Sequence, residues 1–116
     1  MGLRDLARRL RSSVDELDEE RLQDRFANLD LTPLGELVCR VPARVGGEVS
    51  RMRLTPRSGV PTLEIVVTDG TGDAVAIFTG RRAIPGIEHG RSVILEGVAY
   101  SQQDRRVFLN PAYTLI

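Results

Sequence analysis

The chain has 116 residues, 41% of them hydrophobic, with 16 basic and 16 acidic side chains and a formal net charge of zero. That length accommodates one domain with an appendage and excludes two full domains. One cysteine, Cys39, and one histidine, His89, leave no internal disulfide framework and no recognisable zinc site.

All 16 basic residues are arginine. Lysine chemistry is thereby excluded, including Schiff bases and the phosphate-binding lysine of a P-loop. Each positive group is instead a planar, permanently charged fork that can stack on a base and grip a phosphate. The longest strictly apolar run, Ala74 to Phe78, is far too short to span a membrane, and Arg4 and Asp5 stand where a signal peptide needs its apolar core. The expectation is a cytoplasmic chain with no membrane span.

Residues 1–30 read as an amphipathic helical segment. Leu3, Leu6, Ala7, Leu10, Val14 and Leu17 are spaced by threes and fours, and neither Gly nor Pro interrupts residues 3–31. The charge is polarised: residues 1–14 sum to +3 and residues 15–30 to −5. A single helix would carry that polarity against its own macrodipole, so a break is expected. It falls either at Ser12-Ser13, where Ser13-Val-Asp-Glu16 fits a capping box, or near Asp18, because the apolar spacing skips phase between Leu17 and Leu22. Leu3, Leu10 and Leu17 recur every seven residues, which predicts weak self-association with basic and acidic halves antiparallel across two chains, docking onto a protein partner, or folding back onto the rest of the chain.

Residues 31–42 read as a linker. Thr32-Pro33 is placed as the cap and first position of a single turn, and Val41-Pro42 forces extended backbone. A first strand starts near Ala43, with Gly46-Gly47 as its bulge. Val45 and Val49 share parity with Arg51 and Arg53, yet the later apolar residues are Met52 and Leu54. The faces therefore swap near Ser50, turning Arg51 and Arg53 outward.

The second strand, Thr62 to Thr68, places Leu63, Ile65 and Val67 on one face. Asp69-Gly-Thr-Gly72 then turns the chain into a third, Ala74 to Phe78. Gly80 to Ile87 contains Pro85-Gly86, so at most one helical turn forms there, and Ile84 and Ile87 read as a plug for the core. Gly90 to Val98 and Arg106 to Leu115 make a fourth and a fifth strand.

Two β runs around Asp69-Gly-Thr-Gly72, the second closing on Phe78, between a long bent strand and two further strands, resemble the OB fold. The similarity covers roughly residues 41–116. The pattern is similar to that of small stand-alone bacterial OB-fold nucleic-acid-binding proteins, of the OB domain of branch-migration helicases and of OB domains of the tRNA-anticodon-binding type. The resemblance implies a mainly β chain, with a five-stranded OB-fold Greek-key barrel over residues 43–116 preceded by the helical segment. It also implies single-stranded DNA or RNA as partner, held along strands 2 and 3 between two loops.

Those loops are Thr55 to Val60, carrying Arg57, and Ser101 to Arg105, with Arg106 beside it. Phe78 is the stacking candidate if Val75 and Ile77 face the core, an assignment that a bulge would reverse. Tyr100 is a second stacking candidate, and Arg51 and Arg53 complete the set. Residues 41–116 hold nine arginines and seven acids, so the expected binding is weak. His89 has no nucleophile at a motif spacing, and Asp69 and Asp73 are explained by turn chemistry, so no enzyme, catalytic residue, metal or cofactor is expected. The alternatives are a protein-interaction or regulatory module, and membrane-surface association through the arginine-rich helix.

Overall fold

The computed structural model describes residues 2–116. A helix, α1 (Leu3–Ala27), and a 3-10 turn (Leu34–Glu36) precede six strands. These are β1 (Pro42–Arg57), β2 (Val60–Thr68), β3 (Asp73–Thr79), β4 (Ser92–Gln102), β5 (Arg105–Leu109) and β6 (Ala112–Leu115). The chain is thus mainly β with an N-terminal helix.

Long β1 serves two neighbours. Its first half, Pro42 to Glu48, runs antiparallel to β4, and its second half, Glu48 to Arg57, antiparallel to β2. β3 adds antiparallel to β2, β5 parallel to β3 and β4 antiparallel to β5, so β1, β2, β3 and β5 each have two hydrogen-bonded neighbours and β4 has three, β1, β5 and β6. Changing partner requires a bend, and the register shifts between Val49 and Arg51, as side-chain parity predicts. One extra residue, Ser50, reverses every following side chain. Met52 and Leu54 consequently share a face with core residues Ile65 and Leu63, and Arg51 and Arg53 turn outward.

The glycine pair is not the bulge. Gly46 and Gly47 pair in unbroken register with Ile94 and Val93, and their smallness serves close packing. A Cβ on Gly46 would meet Leu31 at 2.6 Å and Phe26 at 3.0 Å, and one on Gly47 would meet Val67 at 2.9 Å.

The expected fifth strand is two strands. β5 and β6 both run antiparallel along β4, with a one-residue slip across Leu109 to Pro111. Pro111 has no N–H for the ladder, and Asn110 adopts a positive φ of 47°. The Asn110 backbone N–H donates to Ile77 O at 2.7 Å, and its side-chain oxygen accepts from Thr79 N–H at 2.9 Å, which pins the break to the end of β3.

The inner faces of β1 to β5 build the main core, joined by Ile84 and Ile87 from a β3–β4 connection that holds only a turn. Leu34 and Leu37 enter from the 3-10 turn. Pro33, not Thr32, stands at its N-cap, and no side chain there caps it. Leu34 N–H donates to the Asp69 carboxylate at 2.9 Å, and the same carboxylate accepts from Thr71 N–H and Thr71 Oγ1, at 2.9 and 2.6 Å. Buried Asp69 therefore ties the β2–β3 turn to the connecting segment.

Phe78 lies in the main core at 4% exposure, edge-on to Tyr113 with ring centroids 5.8 Å apart. It does not face a groove. The parity of β3 is opposite to the expected one: Ala76 and Phe78 point inward, opposite Ile65 and Leu63, while Val75 and Ile77 point outward. Both faces of β3 are apolar, so alternation alone carries no sign.

α1 is unbroken through Ser12, Ser13 and Asp18. The dipole argument for a break fails because the effect falls off within the terminal turns, where Asp5 offsets Arg4 and Arg25 offsets Asp24. A break would also strip backbone N–H and C=O groups of their intrahelical partners. The phase skip has another cause. At about 100° per residue, Leu22 and Phe26 lie roughly 140° around the helix from the stripe of Leu3, Leu6, Leu10, Val14 and Leu17. Leu22 and Phe26 are buried, whereas the stripe is exposed. The foot of α1 is fixed by Arg21, which pairs with Glu48 at 3.1 Å, and by Gln23 Nε2, which donates to Gly70 O at 3.1 Å. No helix among the described residues is long and apolar enough to cross a membrane.

Candidate functional site

Residues paired across strands share a face, so the registers lay out two outward rows. One runs Arg51, Val66, Val75, Val107, Tyr100; beside it run Arg53, Glu64, Ile77 and Leu109. The centre of this outer face is apolar, with Val75, Ile77 and Val107 buried and Val66 and Tyr100 packed against them. Sequence reading missed this cluster because it assigned Val75 and Ile77 inward.

Charge is arranged around that centre. Arg51, Arg53 and Arg57 alternate along β1 and so stand on one side of the β1–β2 hairpin, over roughly 20 Å at about 3.3 Å per residue. All three are exposed, and none is in an ion pair among the described residues. The same half of β1 has no second neighbour beyond β2, and its arginines together with Pro56 discourage edge-to-edge pairing.

Arg105 starts β5, and its guanidinium donates to Glu64 at 2.9 Å. Because β3 lies between β2 and β5, this side chain crosses the apolar centre to reach its partner. Glu64 is 8% exposed, and its burial on this face was not foreseen. Its outward parity on β2 was legible, but its partner 41 residues away was not.

Arg106 is committed elsewhere. Its guanidinium donates to Leu34 O and, at 3.0 Å, to Asp73 O, clamping the connecting segment to the start of β3. Arg51, Arg105 and Arg106 nevertheless line one cavity of about 350 Å³, together with Ser50, Val66 and Asp73. Arg57 stands apart from it at the hairpin tip.

Both lips are tight. The β1–β2 connection is Ser58-Gly59, with φ of 51° and 78°, and the β4–β5 connection is Gln103-Asp104, with φ of 52° and 61°. Positive φ at both central residues is the type I′ geometry whose twist suits a two-residue hairpin. Arg57 and Arg105 thus end and begin strands rather than sit in loops, which fixes their backbones.

The sequence-predicted residues therefore divide. Arg51, Arg53, Arg57, Arg105 and Tyr100 share the outer face, Arg106 is held by backbone carbonyls, and Phe78 is inside. The face can present guanidinium groups beside the half-buried Val66 and Tyr100, while Val75, Ile77 and Val107 beneath them are covered. The sequence matches no protein-family model and has no significant match among curated proteins.

Proposed function

We propose that this chain is an OB-type Greek-key barrel that binds single-stranded DNA or RNA, weakly and without catalysis, on the outer face of β2 and β3. Support for the barrel reading comes from the pairing pattern, in which β1 bends at Ser50 and each of β1 to β5 has at least two neighbours. The observation that carries the binding reading is the row Arg51, Arg53 and Arg57, free of ion pairs among the described residues, beside Val66 and Tyr100 of the outer cluster. Alternate residues on a strand repeat at a spacing comparable to that of successive phosphates in an extended single strand, so the row can follow a backbone while bases lie toward Tyr100. Zero net charge and one aromatic on this face favour low affinity, and three guanidinium contacts to phosphate give a log-log salt slope of only about −2.

The test is fluorescence anisotropy with labelled single-stranded DNA and RNA at several salt concentrations. Replacing Arg51, Arg53 and Arg57 together by Glu is expected to abolish most binding and to lower the log-log salt slope by about 2, at about 0.7 per phosphate contact. A wild-type chain that shows no anisotropy change at low salt and high micromolar concentration defeats the proposal.

A further inference from the structure

Leu3, Leu6, Leu10, Val14 and Leu17 form an apolar stripe on α1 whose members are between 52% and 86% exposed. They cannot turn onto their own sheet. The foot of the helix is seated by Leu22 and Phe26, roughly 140° away around the axis, and rotating the stripe inward would expose both. A contiguous exposed stripe of this kind marks a contact surface.

Charge selects the occupant. Within about 120° of the stripe's centre, one flank carries Arg4 and Arg11 followed by Asp18, and the other carries Arg9 followed by Glu16 and Glu20. A two-fold antiparallel neighbour sets each flank against itself in reverse. Arg9 then lies beside Glu16, and Arg4 beside Asp18, which also pairs with Arg21 of its own chain, while Leu10 meets Val14 and Leu6 meets Leu17. A parallel neighbour would set basic half on basic half and acidic half on acidic half, which like-charge repulsion opposes.

We propose that the exposed part of α1 docks on the same segment of a second copy, forming an antiparallel two-helix contact that leaves both β-sheet bodies free. The contact spans residues 3–18, roughly 24 Å of helix, so it is expected to be a micromolar association.

The experiment is sedimentation equilibrium of the full chain from low to high micromolar concentration, with circular dichroism as a check on folding. The wild type should dimerise, and Leu10→Glu should be monomeric. Arg9→Glu should weaken the dimer about tenfold, as should Glu16→Arg, since each turns two symmetric ion pairs into like-charge contacts. Combining both substitutions in one chain should restore wild-type affinity, because the antiparallel complement is rebuilt. A wild type that stays monomeric throughout overturns the proposal, as does a double variant no tighter than either single variant.

Discussion

Glu64 shows how a single side chain limits what can be learned from its neighbour. Its carboxylate is buried on the candidate face and held by Arg105 at 2.9 Å, while the Arg105 side chain is 43% exposed. Solvent screens such a pair, so its net stabilisation is small. Removing Arg105 would still leave a buried acceptor without its donor, at a cost of about 1 to 3 kcal/mol. Arg105 is therefore a poor probe of binding, and the free arginines of β1 are the clean ones. The two aromatics separate in the same way. Phe78→Ala should lower stability by about 3 to 5 kcal/mol, read as a shift of the urea midpoint, with the affinity of the folded fraction unchanged. Tyr100→Ala should weaken strand binding by up to about 1 to 3 kcal/mol with a smaller midpoint shift. A stable Phe78→Ala chain with weakened binding would reverse these assignments. Both rings were visible in the sequence as aromatics near strand ends. Where Phe78 pointed depended on the parity of β3, in which every residue from Ala74 to Phe78 is apolar.

Among the elements, β1 was the most legible and α1 the most misleading. In β1 the apolar pattern changes parity at Ser50, and only an extra residue in one strand produces that pattern. In α1 a change of phase between Leu17 and Leu22 looked like an interruption of the backbone, whereas it is a change in which face meets the sheet. Periodicity reports the environment of a helix, and a helix with two environments has two phases. The β4–β5 hairpin carries its own prediction. Gln103 and Asp104 both hold positive φ, a conformation that Gly adopts freely, Asn and Asp less readily and Gln at a greater cost. Gln103→Asn with Asp104→Gly supplies the pair preferred in a type I′ turn. The change should stabilise the chain by about 1 kcal/mol, seen as a rise of a few degrees in thermal midpoint. An unchanged or lower midpoint would mean that the turn relaxes out of this geometry.

On the scale of the whole molecule, the extents of 52 × 33 × 28 Å reflect a helix that outreaches the sheet it stands on. Its two parts should behave differently on truncation. A chain beginning at Asp18 keeps Leu22, Phe26 and the Arg21 pair with Glu48, and its thermal midpoint should match that of the full chain. One beginning at Leu29 loses two buried apolar side chains, about 3 to 6 kcal/mol of burial, and should unfold at a clearly lower midpoint. Equal midpoints for both would show that the foot of α1 is not part of the folded unit. Local chemistry alone determined the strand pattern, the Asp69-Gly70 turn, the inward face of Leu63, Ile65 and Val67, and the outward turn of Arg51 and Arg53, because each follows from backbone preference and side-chain alternation over a few residues. Tertiary structure alone decided the parity of β3, the reach of Arg105 to Glu64, the commitment of Arg106 to backbone carbonyls and the covered face of α1. Each of these depends on which distant segment becomes a neighbour, and residues 33 to 72 positions apart in the chain carry no local pattern that names their partner.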